Sequence, residues 1–501
     1  MSEEQDLSLR NIRLNKLKYF QEKGVNPYPH IFKPTSSSRS LKEVFRDLPN
    51  GEESNTVVKV AGRIRAMRNS GMFIDIDDED GKIQIYTDVH SQNSSKQMLK
   101  LLDVGDIIGV EGTIKRTKRG ELSVVAQETT MLSKSLLPLP EKWHGLKDKE
   151  ACYRQRYLDI IVNPDSKDVL LKRSRAVHAI REVMSEEKFI EVETPILHPI
   201  KSGANARPFT TKYNALDAEF YLRIASELYL KRLIVGGIPR VFEIAKTFRN
   251  EGVDTSHLPE FTMLDLYQSY ADYNDMMKLS EKLLRQTALA TTGSLVLPWN
   301  KKQIDLSESF KKLPIVQAVS DELNYDFMTI YEDSEAVRVA KSHGIQLKGD
   351  ESWGKVIEEV FNQRIEERII QPTFVMDIPR DISPLAKEHR ASPRLSERFM
   401  LFVGGMEFGE AYSELSNPLD QRARFEEQVA QSNDPEAQQM DEDFLTALEH
   451  GMPPTGGMGI GIDRLAMMLT DSPAIRDVLT FPTLKVAHKA PRLKIDNQNQ
   501  R

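Results

Sequence analysis

Residues 241–267 place side chains able to bind both an anion and a cation within one short stretch of chain. The planar guanidinium of Arg249 suits a carboxylate or a phosphate, because its N–H donors form a fork that matches two oxygens. Glu251 and Asp265 are acids, and His257 lies between them in the sequence. This combination is unusual for a segment that serves only as scaffold, and it marks the stretch as a candidate binding site.

The alternation of side chains along this stretch predicts two strands around a polar loop. The residues predicted to face the core are Phe242, Ile244, Phe248, Leu264 and Leu266. The residues predicted to lie on the opposite faces are Glu243, Arg249, Phe261, Asp265 and Tyr267. The alternative is a sheet with one solvated face that carries scattered surface charges.

Acids recur in two other stretches. Glu227 lies in the first turn of a predicted helix, where a carboxylate either interacts with the helix dipole or pairs with a substrate ammonium. Residues 399–414 predict a strand, a Gly-Gly turn and a second strand, and Glu407, Glu410 and Glu414 crowd into the second. Like charges on one strand face cost stability unless a cation lies between them. A solvated strand edge is the alternative.

A glycine-rich string, PPTGGMGIGIDRL, occupies residues 453–465. Glycines let a backbone approach phosphates closely. Arg464 precedes a predicted helix over 465–469, whose N-terminus also favours anions. The dinucleotide-binding fingerprint is excluded because neither register of the string has the required third glycine.

Length, composition and net charge indicate the general class of the protein. With 501 residues, the chain is expected to form two or three domains. Its 40% apolar and 29% charged residues suit a soluble globular enzyme, and its apolar runs are too short to cross a bilayer. The acidic N-terminus has no signal-peptide core, and Cys152 is the only cysteine, so we expect a reducing, cytoplasmic location. The net charge of −7 means that RNA binding would need local basic patches.

The N-terminal part of the chain predicts a different architecture. Residues 8–23 predict an amphipathic helix with a basic face, which either tracks RNA phosphates or is simply solvated. Residues 55–137 then predict five short strands with a helix between the third and fourth, the pattern of an OB-fold barrel. Phe73 and Tyr86 are candidate platforms for stacked bases, and the cluster Lys115–Arg119 predicts a basic hairpin tip. The alternative is that Phe73 belongs to the core. Ile74 and Ile76 argue against it, because they lie on the opposite face of the same predicted strand.

Three strings resemble the signature motifs of the class II aminoacyl-tRNA synthetases. FRNEG at 248–252, followed by His257 and PEFT at 259–262, resembles motif 2 and is most similar to that of the lysine-specific enzymes of subclass IIb. A predicted helix over 166–189 that runs into FIEVETP resembles motif 1, and residues 453–465 resemble motif 3. The resemblance covers residues 8–486.

The resemblance implies an α+β fold with a defined domain order. An N-terminal helix and linker (1–54) precede a five-stranded OB-fold anticodon-binding barrel (55–137) and a linker (138–165). A class II catalytic domain follows over 166–486, with an antiparallel sheet flanked by helices and an insertion at 298–372. Residues 487–501 are expected to be a disordered tail.

The resemblance also implies ATP-dependent ligation of L-lysine to lysine tRNA through a lysyl-adenylate, an AMP-forming reaction of translation. It implies a homodimer and no membrane partner. The residues that match the ATP site are Arg249, Glu251, His257, Phe261, Glu407 and Arg464, with Arg249 and Arg464 as catalytic residues and Glu407 binding Mg²⁺. The residues that match the lysine site are Gly203, Glu227, Arg249, Asp265, Tyr267, Glu410, Tyr412 and Glu414. Those that match the anticodon site are Arg65, Phe73, Gln84 and Glu121.

Three positions depart from the family pattern. Met400 replaces a usual second Mg²⁺-binding Glu, Asp265 replaces a Glu, and Glu410 replaces an Asn. The last two changes suggest a compensation, in which one acid is shortened and another is gained. Two alternatives follow: a paralogue that activates a related amine-bearing amino acid, and an RNA-binding or regulatory protein that has lost catalysis.

Overall fold

The computed structural model describes residues 3–87, 95–140, 146, 148–201, 203, 206–431 and 440–485. The predicted tail at 487–501 lies outside the described residues. The chain divides into two compact units, Met1–Lys147 and Asp148–Arg501. No helix in the described part of the chain is long and apolar enough to cross a membrane.

The first unit contains the predicted five-stranded barrel. Its strands close in the order β1-β2-β3-β5-β4. The elements are α1 (Glu3–Glu22), α2 (Ser38–Val44), β1 (Glu53–Arg68), a 3-10 turn (Asn69–Gly71), β2 (Phe73–Asp77), β3 (Lys82–Tyr86), α3 (Ser95–Leu101), β4 (Ile107–Arg116) and β5 (Leu122–Ser133). Helix α3 lies between the third and fourth strands, as the sequence predicted.

The isoleucines of β2 and β3 alternate along each strand and point into the barrel core. Ile74, Ile76, Ile83 and Ile85 are fully buried in the barrel core. Because side chains of a strand alternate between faces, Phe73 points outward. Its ring centroid lies 5.4 Å from that of Tyr86 on the neighbouring strand, so the prediction that Phe73 is outside the core is confirmed.

The second unit is built on an eight-stranded sheet. Its helices are α4 (Lys149–Arg154), α5 (Arg156–Val162), α6 (Pro164–Glu186), α7 (Glu227–Val235), α8 (Tyr273–Thr292), α9 (Ile315–Leu323), α10 (Asp333–Ser342), α11 (Trp353–Arg364), α12 (Pro418–Gln431), α13 (Glu442–Glu449) and α14 (Ile462–Thr470). Its 3-10 turns are Phe327–Thr329, Glu366–Arg368, Arg380–Ile382 and Ile475–Val478.

The strands of this unit are β6 (Ile190–Glu191), β7 (Leu197–His198), β8 (Thr210–Tyr213), β9 (Ala218–Leu222), β10 (Arg240–Phe248), β11 (Glu260–Ser269), β12 (Val296–Trp299), β13 (Lys302–Asp305), β14 (Lys311–Pro314), β15 (Thr373–Met376), β16 (Glu388–His389), β17 (Ser392–Ser396), β18 (Arg398–Val403), β19 (Met406–Ser413) and β20 (Thr455–Gly461). The order in the main sheet is β14-β15-β18-β19-β20-β11-β10-β6. All pairs are antiparallel except the two outermost ones, β14–β15 and β10–β6.

The predicted hairpin of residues 241–267 forms β10 and β11, and the two strands pair in continuous antiparallel register. Phe242, Leu264 and Leu266 face the main core, where they pack with helices α6, α8 and α14. Asp265 and Tyr267 therefore lie on the opposite face of the sheet. The α+β prediction, with an N-terminal barrel followed by a largely antiparallel sheet flanked by helices, is confirmed.

Two boundaries differ from the sequence prediction. Helix α14 begins at Ile462, so Arg464 lies inside its first turn and does not precede it. The predicted insertion at 298–372 also contributes to the main sheet, because β14 forms one of its edge strands. Helices α9–α11 pack a second core against Val375 and Phe402 of the sheet, which fixes this segment to the sheet.

Candidate active site

A cavity of about 310 Å³ opens on the face of the sheet opposite the main core. We call it the first cavity. The predicted lysine-site residues that line it are Gly203, Glu227, Arg249, Asp265, Tyr267, Glu410 and Tyr412. They come from the start of α7 and from strands β11 and β19, with Gly203 and Arg249 in loops.

A second cavity of about 260 Å³ adjoins the first. All six predicted ATP-site residues line it: Arg249, Glu251, His257, Phe261, Glu407 and Arg464. Gly459 and Gly461 of β20 form part of its wall, so the glycine-rich strand exposes backbone there as the sequence suggested. Arg249, Met263, Glu410 and Gly459 line both cavities. The two cavities therefore meet at Arg249.

The guanidinium of Arg249 is placed to receive a ligand. Its carbon lies 5.2 Å from the ring centroid of Phe261, within the distance of a cation–π contact. Its Nε is buried and has no hydrogen-bond partner among the described residues. A buried donor without a partner costs free energy, and a bound carboxylate or phosphate would remove that cost.

Arg464 is oriented by contacts within the second cavity. One of its terminal nitrogens donates to the backbone carbonyl of Glu407, and the other donates to Nε2 of His257 at 3.0 Å. The ring Nδ1 of His257 in turn lies 2.9 Å from Asp254 Oδ2. This chain of contacts requires the tautomer with its proton on Nδ1, and it holds the arginine against the cavity wall.

Asp265 is the acid at the centre of the first cavity. It is 9% exposed, and the Ser226 hydroxyl donates to its Oδ2. Burial raises the pKa of Asp265 to about 6, the Ser226 hydrogen bond opposes the rise, and the neighbouring Glu227 and Glu243 add to it. Burial and the neighbouring acids therefore oppose ionisation of Asp265, and a cation bound beside it would favour the carboxylate form.

Glu410 is paired with a cation of the protein itself. Nη2 of Arg398 donates to Oε2 of Glu410 at 2.6 Å, and Nη1 donates to the carbonyl of Ile382 at 2.9 Å. Burial opposes ionisation of Glu410, but Arg398 outweighs it and lowers the pKa of that carboxyl. The sequence reading did not include Arg398, and the strand pairing of β18 and β19 explains its position, because Arg398 lies opposite Tyr412.

Glu414 lies beneath the first cavity and does not line it. It follows the end of β19, is fully buried, and its carboxylate is 2.5 Å from the ammonium of Lys231. Lys231 also donates to Glu227 at 2.5 Å. Glu414 was predicted as a lysine-site residue, but it does not line the first cavity. The alternative of a solvated strand edge is wrong, because β19 lies between β18 and β20 in the sheet.

Lys231 is the main residue that sequence reasoning missed. Burial acts to lower the pKa of its ammonium, but the carboxylates of Glu227 and Glu414 raise it above the usual value. The spacing of Glu227 and Lys231, four residues apart on a predicted helix, was the available signal. It did not indicate that the pair would be buried together with a second acid.

Glu407 can supply one carboxylate for a metal ion, and the position of the usual second acid holds Met400. Burial and the nearby Glu410 raise the pKa of Glu407. Among the described residues, no three His, Cys, Asp or Glu side chains are grouped as in a protein metal site. Met400, at the position of the usual second acid, is 8% exposed and packs in the core beside α9–α11. Mg²⁺ commonly binds one or two carboxylates together with substrate phosphates, and Glu407 fits that arrangement.

Three of the four predicted anticodon residues lie on neighbouring strands of the barrel: Arg65 on β1, Phe73 on β2 and Gln84, which is 7% exposed, on β3. Phe73 and Gln84 lie on adjacent strands, with Gln84 Oε1 accepting from Ser123 at 2.9 Å. Arg65 is 3.1 Å from Asp77. Glu121 is exposed just before β5.

Asp75, between Phe73 and Asp77, was not predicted among these residues. It is 1% exposed and binds both Arg68 and Lys82 at 2.8 Å. The predicted basic tip is smaller than expected, because Arg116 donates to backbone carbonyls of Phe45 and Leu48 and Lys115 pairs with Glu53.

Comparisons with known proteins agree with this architecture. The family described as "tRNA synthetases class II (D, K and N)" matches residues 148–485, and the family described as "OB-fold nucleic acid binding domain" matches residues 58–132. A lysine–tRNA ligase of Staphylococcus epidermidis is 48% identical over 97% of this chain and 100% of its own length. Lysine–tRNA ligases of Moorella thermoacetica and a Synechococcus species are each 48% identical, over 97% and 98% of this chain and 99% of their own lengths.

The family match over residues 148–485, together with the OB-fold match over residues 58–132, shows that the chain is a class II aminoacyl-tRNA synthetase. Within this class, the chain belongs to the lysine–tRNA ligase family.

Proposed function

We propose that this protein catalyses the ATP-dependent ligation of L-lysine to lysine tRNA through a lysyl-adenylate. The observation that carries the proposal is the position of Arg249, which lines both cavities. One cavity is lined by acids suited to an amino acid with two ammonium groups. The other is lined by Arg464, His257 and Phe261, which suit a nucleoside triphosphate.

In this arrangement lysine occupies the first cavity. Asp265 and Glu227 attract its ammonium groups, and the rings of Tyr267 and Tyr412 line its hydrocarbon chain. The carboxylate points to Arg249, whose buried Nε lacks a partner among the described residues. An amino acid with a side-chain carboxylate is disfavoured in this cavity because it would face like charge.

ATP occupies the second cavity. Phe261 offers a stacking surface for adenine and Glu251 an acceptor for its amino group, while Arg464 and His257 contact the outer phosphates. Mg²⁺ held by Glu407 and the phosphate oxygens would neutralise phosphate charge. Arg249 contacts both the lysine carboxylate and the α-phosphate, so it aligns the two reacting groups.

The first step is attack of a lysine carboxylate oxygen on the α-phosphorus, which forms the acyl–phosphate bond and releases pyrophosphate. In the second step, a ribose hydroxyl at the tRNA terminus attacks the acyl carbon, and AMP leaves. Neither step needs a protein nucleophile, because positioning and charge stabilisation lower the barrier.

Lysine-dependent ATP–pyrophosphate exchange, repeated with a panel of other amino acids, tests the proposal. Exchange with lysine supports it. Preference for another amine-bearing amino acid would identify the paralogue alternative, which the shortened Asp265 favours. Absence of exchange with every amino acid, together with tRNA binding, would support a protein without catalysis.

Replacing Glu410 with Asn should raise the KM for lysine in the exchange assay by about tenfold or more. The change leaves the Arg398 guanidinium without its 2.6 Å partner, and an uncompensated cation in the cavity repels an ammonium. Charge-assisted hydrogen bonds contribute about 1.5–3 kcal/mol. Glu332→Gln is the matched control, because Glu332 is exposed and lines neither cavity. An unchanged KM in the Glu410 variant would contradict the compensation between Glu410 and Asp265.

The barrel is proposed to bind the anticodon of lysine tRNA through Phe73, Arg65, Gln84 and Glu121. Replacing Phe73 with Ala should raise the KM for tRNA in aminoacylation by about tenfold, because stacking of one base on an aromatic ring contributes about 1–3 kcal/mol. Pyrophosphate exchange without tRNA should stay at the wild-type rate. Equal losses in both assays would show that the substitution damages the whole protein and not the barrel face.

The proposal includes a homodimer and a cytoplasmic location, where ATP and tRNA are available. Support for the dimer comes from exposed apolar residues on the elements that resemble motif 1: Leu171 on α6 and Ile190 on β6 are each about half exposed. Light scattering of the purified protein measures the mass directly.

A further inference from the structure

Ser226 makes an unusual contact for its position at the start of a helix. It is the residue before α7, where serine normally accepts a hydrogen bond from a backbone N–H of the first turn. The Ser226 side chain makes no such capping bond. Its hydroxyl instead donates to Oδ2 of Asp265, and the residue is fully buried. Helix α7 therefore begins without a side-chain cap, and the Ser226 hydroxyl binds the Asp265 carboxylate instead.

Asp265 differs from the other acids of this region in its partners. Glu227 and Glu414 both bind Lys231, and Glu410 binds Arg398. Among the described residues, Asp265 makes no ion pair, and Ser226 is the partner of its Oδ2. The other acids already have a resident cation, so Asp265 is the acid most available to a cation that arrives from outside.

The second oxygen of Asp265 lies on the cavity side. A Cβ built at Gly459, which lines both cavities, would be 3.0 Å from Oδ1 of Asp265. One carboxylate oxygen is thus fixed at the start of α7 while the other lies beside the glycine strand. Ser226 is the described residue at the start of α7 that fixes the rotation of this short side chain.

We propose that Ser226 is a positioning residue for amino-acid recognition, whose hydroxyl holds the Asp265 carboxylate so that Oδ1 receives the side-chain ammonium of the substrate. The inference rests on the proposed function. It assigns Ser226 a role in specificity. The side chain of Asp265 is one methylene shorter than that of glutamate, and the Ser226 hydroxyl keeps it in a fixed position by binding Oδ2.

The same contact affects protonation. Glu227 from α7 and Glu243 from β10 face Asp265 and disfavour its charge, whereas Arg249 favours it, and Tyr267 lies on the same strand face. Removing the Ser226 donor takes away a contribution that lowers the pKa of Asp265, so the pKa rises further. Less carboxylate is then ionised at a given pH, and the deficit grows as the pH falls towards 6.

The test is the KM for lysine in pyrophosphate exchange with Ser226→Ala. The expected result is an increase of about tenfold at pH 7, larger at pH 6 and smaller at pH 8.5, with kcat and the KM for ATP within about twofold of wild type. Ser226→Thr, which keeps a hydroxyl, should recover most of the affinity. Ser280→Ala is the matched control, because Ser280 is equally buried but donates to a backbone carbonyl within α8.

A second arm covers the case in which Ser226→Ala folds poorly. In an Asp265→Asn background, adding Ser226→Ala should cause no further increase in the KM for lysine, because the two residues act through one contact. Additive effects, or an unchanged KM and pH profile in the single variant, would overturn the proposal. If the wild-type protein itself shows no lysine-dependent exchange, the proposed function fails and the role of Ser226 in lysine recognition fails with it, whereas normal wild-type exchange with an unchanged Ser226→Ala variant overturns the role of Ser226 alone.

Discussion

Replacing Arg249 with Gln is expected to lower the rate of lysine-dependent pyrophosphate exchange by about a thousandfold or more. Arg249 is the cationic residue that lines both cavities, and the reaction joins one group from each. Removing a single preorganised donor that stabilises transition-state charge costs about 10²–10³ in rate. Arg249 offers several donors and a full positive charge, so we expect its replacement to lower the rate by about 10³ or more.

Conservative replacement separates the contributions of charge and shape. Arg249→Lys keeps the cation but loses the planar fork, and it should recover only a small part of the rate. Arg338→Gln provides the matched control, because its side chain is 71% exposed and its ion-pair partner in the described part of the chain is Glu335 on its own helix. Quench-flow measurement of adenylate formation would locate the loss in the chemical step. Near-wild-type exchange by the Gln variant would remove Arg249 from the proposed mechanism.

Much of the site was predictable because strands impose a two-residue repeat. Leu264 and Leu266 had to face the core, so Asp265 and Tyr267 had to face away from it. The antiparallel register of β10 and β11 then fixes which side chains are neighbours. Gly459 of β20 pairs with Asp265 of β11, and a side chain at Gly459 would crowd the Asp265 carboxylate.

The resident cations were not predictable by the same reasoning, because they come from elements distant in sequence. Lys231 on α7 contacts Glu414 although the two residues are far apart in the sequence. Alternation along the predicted strand placed Glu414 on the same face as Glu410 and Tyr412. In the structure β19 ends at Ser413, and the Glu414 carboxylate is buried against Lys231. A carboxylate assigned to the substrate is therefore neutralised by the protein.

Ser226 illustrates a related limit. A serine before a predicted helix indicates an N-cap, and only the packing of α7 against β11 shows that its hydroxyl is used elsewhere. The edge strand β14 is another case. Its parallel pairing with β15 joins segments separated by helices α9–α11, and no local pattern in 298–372 indicates that contact.

Replacing Lys231 with Met is expected to destabilise the second unit by about 3–5 kcal/mol. Lys231 is fully buried, and its ammonium is 2.5 Å from carboxylates of both Glu227 and Glu414. Methionine has a similar length but leaves two acids without a counter-charge. Removing one partner of a buried ion pair costs about this much, because the remaining charge stays desolvated. The ammonium also lies 5.8 Å from the Tyr267 ring, a contact that methionine weakens.

Chemical denaturation monitored by circular dichroism measures this loss, and a double variant identifies its cause. Burial raises the pKa of Glu414 to about 8 even beside Lys231. Without Lys231 this acid must either stay charged and desolvated or take up a proton on folding, and both cost stability. Glu414→Gln in the Lys231→Met background removes that cost, so it should recover a substantial part of the lost stability. If the loss came instead from altered packing, the second substitution would give no recovery. Lys278→Met is the matched control, because its side chain is 79% exposed and its change should stay within about 0.5 kcal/mol. Recovery in the double variant would establish that the acids around the first cavity depend on a cation of the protein before any substrate binds.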